Sequence, residues 1–382
     1  MSAERCLVDP TGLLHYDFGA GHPFKVRRLG LTYALMEAYG LTEGDGVHRI
    51  VPREAELEEA LAFHSSAYLE VLKLADGGLW TPSLFAHGLG SADNPVFPGV
   101  YEWAMCVAGA SIDCAKALLT GRAQRAFNFA GGLHHAMPSR ASGFCHVNDA
   151  VLAIHTLRNE GKRVTYVDVD AHHGDGVQYA FYHTPEVLTV SVHQSGMTIF
   201  PGTGFPEELG ADGAEGTSIN IPLLPGAGDD AYKRALDEAL FPSIERFAPD
   251  VLVTQLGADA ILGDRVASLG MSLGAFERMV ARFAGLGLPW LALGGGGYEL
   301  SNVARAWTLA WAQMSGEQLP DILPEAWKAL AAGEGLHVTS LRGELSAPPS
   351  PLHVLQELGR SIDTIQRTAF PLLEALGGVR DG

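Results

Sequence analysis

Val164-Thr-Tyr-Val-Asp-Val-Asp-Ala-His-His-Gly-Asp-Gly176 is the stretch on which the fold turns. It opens β-branched and aromatic at Val164–Val167, as a strand covered on both faces by helices does. It then crowds Asp168, Asp170, His172, His173 and Asp175 into the segment where that strand ends. In an open parallel sheet, ligands bind beyond the carboxyl ends of the strands. A strand that delivers acids and imidazoles at its carboxyl end therefore predicts both the architecture and the edge that carries chemistry.

Outward from this stretch, short β-branched runs alternate with longer helical patterns, the signature of a parallel sheet with crossover helices. Eight strands are expected, at Arg5–Asp9, His48–Val51, Arg125–Phe129, Arg163–Asp170, Val187–His193, Thr217–Leu223, Asp250–Gly257 and Pro289–Gly294. Val100–Leu119 and Asn148–Arg158 carry apolar residues at helical spacings of three and four. Asp229 is expected to cap the helix that follows it, and Ser301 a helix opening at Asn302. Ser346-Ala-Pro-Pro-Ser-Pro351 reads as a linker to a last amphipathic helix, Leu352–Leu376. The expectation is a single domain over residues 1–382, with a core at about 5–316 and a helical C-terminal extension at about 317–382.

Three other strand ends carry reactive groups. Arg125–Phe129 runs into Ala130-Gly-Gly-Leu-His134-His135, Val251–Leu256 into Gly257-Ala-Asp259, and Trp290–Leu293 into Gly294-Gly-Gly-Gly-Tyr298. Asp170 and His172 stand two apart in an extended segment, so strand alternation points them the same way. With Asp259 they make a three-ligand metal site that leaves positions open for water and substrate. Oxygen and nitrogen donors suit Zn²⁺ and also Fe²⁺ or Mn²⁺. His134 and His135 are placed to move protons, with Asp168 and Asp175 available to orient them, and the Tyr298 O–H to donate to a developing oxyanion.

Composition narrows the partners. Lys and Arg total 26 against 44 Asp and Glu, a net charge of -18. Such a chain repels phosphate backbones and anionic lipid and favours cationic substrates, so no nucleic-acid and no membrane partner is expected. No run of apolar residues is long enough to span a bilayer, and Met1–Asp9 lacks a signal-like apolar region. Cys6, Cys106, Cys114 and Cys145 are too scattered for a disulfide framework or a CxxC site, which fits reduced thiols in a cytoplasmic enzyme.

Taken in order, Gly131-Gly-Leu-His-His135, Ala141-Ser-Gly-Phe-Cys145, Tyr166–Gly176, Phe200-Pro-Gly-Thr-Gly204, Gln255-Leu-Gly-Ala-Asp259 and Gly294–Tyr298 resemble the histone deacetylases, nearest the class I type and the bacterial acetoin-utilisation AcuC proteins. The resemblance implies an α/β fold of three layers, the arginase/deacetylase fold with an eight-stranded parallel sheet. It implies a zinc-dependent deacetylase that releases acetate from N-ε-acetyl-lysine in proteins or peptides with a metal-activated water. Zinc would be held by Asp170, His172 and Asp259. His135 with Asp175 would serve as base and acid, His134 with Asp168 as electrostatic support, and Tyr298 would polarise the acetyl carbonyl. Phe144 and Phe200 match the walls of an acyl-lysine tunnel, Asp93 a clamp on the substrate backbone, and Gly143, Val266 and Gly296 further substrate contacts. Arg28 matches an arginine near an acetate exit. Backbone carbonyls that include Ser191 and Val192 match a structural K⁺ or Na⁺ site.

Three rival readings follow from the same residues. An arginase-like two-metal hydrolase would need a second carboxylate near Asp259, where Ile261 stands instead. A non-catalytic acyl-lysine reader would lack a ligand or the phenol, and neither is missing. A deacetylase of acetylated polyamines would be expected to carry a Glu where Val266 lies.

Overall fold

The computed structural model describes residues 4–79, 81–343 and 347–377. Its strands are β1 (Arg5–Val8), β2 (Val47–Ile50), β3 (Arg125–Asn128), β4 (Val164–Asp168), β5 (Val187–Gln194), β6 (Ser218–Leu223), β7 (Val251–Gln255) and β8 (Trp290–Leu293). They form one eight-stranded sheet in the order β2-β1-β3-β8-β7-β4-β5-β6. Every pairing is parallel. All eight expected strands are present, most of them shorter by a residue or two at one or both ends. The late strands β7 and β8 insert between β3 and β4, which brings the carboxyl ends of these four strands side by side.

Side-chain alternation along the strands makes the three layers. Leu7, Phe127, Val167, Leu252 and Ala292 face one apolar layer, which contains Trp307 and Trp311 of the helix Leu300–Ser315. Cys6, Ala126, Tyr166, Val253 and Leu291 face the other, against Ala110 and Cys114 of the helix Val100–Leu119 and Ile154 and Leu157 of the helix Asp149–Asn159. The buried Trp290, Trp307, Trp311 and Trp327 donate their indole N–H groups to backbone carbonyls or to a hydroxyl. Trp307 donates to the Leu256 carbonyl at 2.8 Å, which pins the turn leading to Asp259.

The last helix, Leu352–Gly377, buries Val354, Leu358, Ile362, Ile365, Ala369 and Leu373 at spacings of three and four. That stripe covers β6, the strand at the sheet's end. Of the preceding linker, Ser346 lies outside the described residues. Ser350 is buried and donates from its hydroxyl to Asp230 and accepts from the Gly228 N–H at 2.8 Å. Among the described residues no helix is long and apolar enough to cross a membrane.

Two expected caps are corrected. Asp229 is the first residue of its helix, and its carboxylate accepts from the Ser272 N–H and hydroxyl, both at 2.7 Å. A tertiary partner thus displaces the local one. Ser301 lies inside a helix that opens at Leu300, and its hydroxyl donates to Glu299 at 3.2 Å.

Ile365 is fully buried on the inner face of the last helix. Ile365→Ala is expected to cost about 2–5 kcal/mol through lost burial and a residual cavity, read as a lower urea midpoint. An unchanged midpoint would mean that the helix is not part of the cooperative unit.

Candidate active site

Four strand ends converge on a buried triad. Ligand atoms of Asp170, His172 and Asp259 all lie within 4.8 Å of one another. His172 Nδ1 is 2.9 Å from Asp259 Oδ2 and 3.1 Å from Asp170 Oδ1. The route to this convergence differs from the one expected. β4 ends at Asp168, so Asp170 and His172 lie beyond it, and strand alternation does not aim them. Instead the His172 N–H donates to Asp170 Oδ1 at 3.0 Å, an Asx-type turn that folds the imidazole back over the carboxylate.

The other carboxylate oxygens are already engaged. Asp170 Oδ2 accepts from Gln255 Nε2 and from the Gly296 N–H, both at 2.7 Å. Asp259 Oδ1 accepts from the Ala171 N–H at 2.8 Å. Each carboxylate therefore keeps one oxygen turned toward His172 Nδ1. A Cβ at Gly296 would collide with Asp259 Oδ2 and crowd Asp170 Oδ2, so glycine keeps a side chain off the triad. Two carboxylates and an imidazole in a dry site are an oxygen and nitrogen donor set for one divalent ion such as Zn²⁺ or Fe²⁺. Burial opposes charge on His172, but its contacts with Asp170 and Asp259 prevail and raise its pKa to about 10. Burial and the charge of Asp170 push Asp259 up to about 7.

Beside the triad stand two histidine–carboxylate pairs. His134 Nδ1 donates to Asp168 Oδ2 and His135 Nδ1 to Asp175 Oδ1, each at 2.7 Å. A carboxylate on Nδ1 fixes the proton there and leaves Nε2 free. His134 Nε2 is 4.0 Å from Asp170 Oδ1. Burial disfavours charge on both rings. At His134 the neighbouring Asp168 and Asp170 overcome it and raise the pKa to about 9. At His135 the positive charge of His134 adds to burial and lowers it to about 4. His173 points elsewhere: its Nδ1 accepts from the Thr203 hydroxyl at 2.8 Å and its Nε2 donates to Gln178 at 3.1 Å.

The loop that carries the two histidines is gripped from both sides by residues the sequence reading did not single out. Asp149 accepts from the Gly132 N–H at 3.0 Å and the Leu133 N–H at 2.8 Å. Asn148 Nδ2 donates to the His134 and Ala136 carbonyls at 3.2 and 3.0 Å. Both residues sit at the start of a helix, where Asn and Asp ordinarily read as caps. Asp264 was missed too. It accepts from the N–H groups of Tyr298 at 2.7 Å and Val266 at 2.9 Å, joining two loops above the triad. Its signal was an acid five residues past Asp259 in a glycine-containing turn.

Aromatic rings stand beside the histidines and Tyr298. Phe200 lies 4.9 Å from the His135 ring and Phe144 5.8 Å from Tyr298, both edge-on. Phe144 takes a positive φ of 69°, and its N–H donates to Asn94 Oδ1 at 2.9 Å. A Cβ at Gly143 would run into the His135 ring and crowd Phe200. Burial, then the charges of Asp259 and Asp170, push the Tyr298 phenol well above its usual range, so it remains an O–H donor. Asp93 is exposed, its carbonyl accepting from His22 Nε2 at 3.1 Å, and Val266 is half-buried. Arg28 is fully buried, donates to the Gly297 carbonyl at 3.0 Å and packs 4.0 Å over Phe24. Burial lowers its pKa to about 10. Ser191 and Val192 are buried in β5, where Ser191 pairs in register with Asp168.

A divalent ion must displace the proton from His172, so Zn²⁺ binding should release on the order of one proton and tighten as pH rises through neutrality. Calorimetry in buffers of different ionisation enthalpy reads this, and binding with no proton release would contradict it. Gln255→Leu should weaken metal affinity about 10–100-fold by freeing Asp170. Asp149→Asn should keep the metal and lose turnover, about 10²-fold for a 1 Å shift of the histidines. Metal content and kcat on the same samples separate the two.

Residues 22–314 match the histone deacetylase domain. The chain is 40% identical to histone deacetylase 8 of Xenopus tropicalis over 301 residues, covering 78% of this chain and 81% of that protein. It is 38% identical to the acetoin utilization protein AcuC of Bacillus subtilis over 321 residues, 82% of each chain. Among solved structures, a histone deacetylase homologue from Aquifex aeolicus superposes with a TM-score of 0.85 at 32% identity, covering 94% of this chain and all of that one. A homologue complexed with SAHA gives the same score and identity over 95% of this chain. These matches span the strand ends that build the triad, the paired histidines and Tyr298, and the chain belongs to the histone deacetylase family.

Proposed function

We propose that this protein hydrolyses N-ε-acetyl-lysine in proteins or peptides to lysine and acetate. The observation that carries the reading is a buried Asp-His-Asp triad beside two imidazoles each held through Nδ1 by a carboxylate, with the rings of Phe200 and Phe144 against His135 and Tyr298. Flat apolar walls suit a methylene stem whose terminal charge acetylation has removed. A divalent ion, zinc or Fe²⁺, held by Asp170, His172 and Asp259 would polarise the acetyl carbonyl and make water acidic enough to deprotonate at neutral pH.

In this scheme His135 Nε2 accepts the proton from the attacking water, and Asp175 steadies the imidazolium that forms. The same proton then passes to the leaving amine as the C–N bond breaks, giving the amine and acetic acid, which ionises to acetate as the amine takes up its second proton. His134, charged and held by Asp168, supports the negative charge that grows on the acyl oxygen. Tyr298 donates its O–H to that oxygen. Gly143 and Gly296 leave space for the acyl group, and Asp93 at the rim accepts from substrate backbone N–H groups. Arg28 beneath Tyr298 offers acetate a cation on its way out. A structural K⁺ or Na⁺ on backbone carbonyls around Ser191 and Val192 would stiffen the turn from Asp168 to His172. Four free thiols accord with a reducing cytoplasm. We assign residues 1–382 to one domain, with the C-terminal helix as its extension.

Polyamines are the competing amides. They keep a positive charge beyond the acetyl group, which a carboxylate at the mouth would recognise, and Val266 offers none. Wild-type enzyme is expected to show higher kcat/KM on acetyl-lysine peptides than on acetylated spermidine, with Val266→Glu narrowing the gap. A tenfold or greater preference for the polyamine, roughly 1.4 kcal/mol in the other direction, would replace this reading with the polyamine one. Tyr298→Phe should lower kcat on the order of 10²–10³ with a smaller change in KM, as loss of one oxyanion donor does.

A further inference from the structure

We propose that the hollow between the loop Ser195–Phe205 and the C-terminal helix receives a side chain of the peptide substrate near the acetyl-lysine, and that it selects a long side chain ending in a cation, arginine or lysine. This deepens the acetyl-lysine reading and rests on it.

The hollow has a volume of about 420 Å³. Met197, Phe205 and Leu224 line it on the sheet side, and Glu357, Arg360 and Thr364 on the helix side. Met197 follows the end of β5 and Leu224 the end of β6, so the hollow opens at the same sheet edge as the metal triad. One loop serves both places. Phe200, at the tunnel mouth, stands between Met197 and Phe205. Three steps of chain lead from Met197 to Phe200, at most roughly 10 Å. An extended peptide advances about 3.3 Å per residue, so a residue two or three places from the acetyl-lysine reaches that far.

The loop is stiff enough to hold such a relation. The Thr198 N–H donates to the Ser195 carbonyl at 2.8 Å, and Gln194 Nε2 donates to the Thr198 hydroxyl at 3.1 Å. Gly196 packs so closely on Gly202 and Thr203 that no side chain fits there. Met197 is 81% exposed and Phe200 47% exposed, which places apolar surface between tunnel and hollow.

Charge decides the kind of side chain. Glu207 lines the hollow and is exposed, while Glu357 and Arg360 on the far wall neutralise each other as an ion pair. One carboxylate is left in surplus above an apolar floor. A long basic side chain can lay its methylenes on such a floor and bring its charge to the acid. The net charge of -18 draws cationic segments to this protein in general, and Glu207 gives that attraction a place. The helix wall lies outside the matched domain at residues 22–314, so this contact is an addition to it.

The test uses the full-length, metal-loaded enzyme. Its substrates are acetyl-lysine heptapeptides carrying Arg, Leu or Glu at each of three positions on either side, and a blocked acetyl-lysine amide with no flanks. At one of those positions kcat/KM should favour Arg over Glu by about three- to tenfold, the scale of a partly exposed ion pair. Glu207→Lys should abolish or invert that preference and speed the Glu peptide. Thr364→Trp, which fills the hollow, should flatten it. Both variants should hydrolyse the blocked amide as wild type does. A wild-type profile indifferent to flanking charge, or an unchanged Arg preference in both variants, overturns the proposal while amide turnover persists. If wild type turns over neither the amide nor any peptide, the acetyl-lysine reading fails and the proposal falls with it.

Discussion

The carboxylate of Asp170 is the point on which the rest of this structure depends. One oxygen receives Gln255 from the end of β7 and the Gly296 N–H from the loop after β8. The other receives the N–H of His172 and faces its ring. A buried anion must be paired and hydrogen-bonded, and here the partners come from three different strand ends. The demand propagates into the sequence. A Cβ at Gly257 would strike Asp170 itself, and one at Gly296 would strike Asp259. The glycine-rich ends of β7 and β8 are thus the room that this carboxylate needs.

Around that point, support comes in successive shells of different stiffness. The histidine loop is clamped on both its N–H and carbonyl groups by Asp149 and Asn148, whose helix is packed into the core. Asp149 is itself held by the Ser111 hydroxyl at 2.6 Å, and Ser111 by Asn128 at 2.8 Å. The rim is tied more loosely but still tied. Gln194 reaches Thr198, two residues before Phe200, and its other end accepts from the Ser268 N–H at 2.8 Å. The paired histidines therefore sit on the most constrained backbone, and the neighbouring aromatic residues on loops joined by single side chains.

Much of this was legible in the sequence because the signals were local. Each strand was a short β-branched run, and each reactive residue stood just past one. The triad was legible for a partly different reason from the true one: strand alternation predicted that Asp170 and His172 converge, whereas an Asx-type turn beyond the strand brings them together. Residues that act through distant partners were not legible. Asp229 looks like a cap and holds Ser272 instead. Asp149 looks like a helix start and grips a loop that precedes it by 16 or 17 residues. Asp264 has no pattern that names Tyr298 as its partner. Local chemistry is written in neighbouring letters, and tertiary hydrogen bonds are not.

The covering of β6 by the last helix has a consequence for how copies of this chain can meet. A parallel sheet ends in rows of unpaired peptide groups, which invite another strand. At one end the amphipathic helix Leu352–Gly377 packs its apolar stripe with Ile219, Ile221 and Leu223 of β6, whose residues are all buried. At the other, β2 is four residues long and carries His48 and Arg49 on its partly exposed surface. Neither margin is long, flat and apolar enough to template a ninth strand. Self-association, where it occurs, is left to side-chain surfaces of helices and loops, and the sheet stays at the width its own sequence sets.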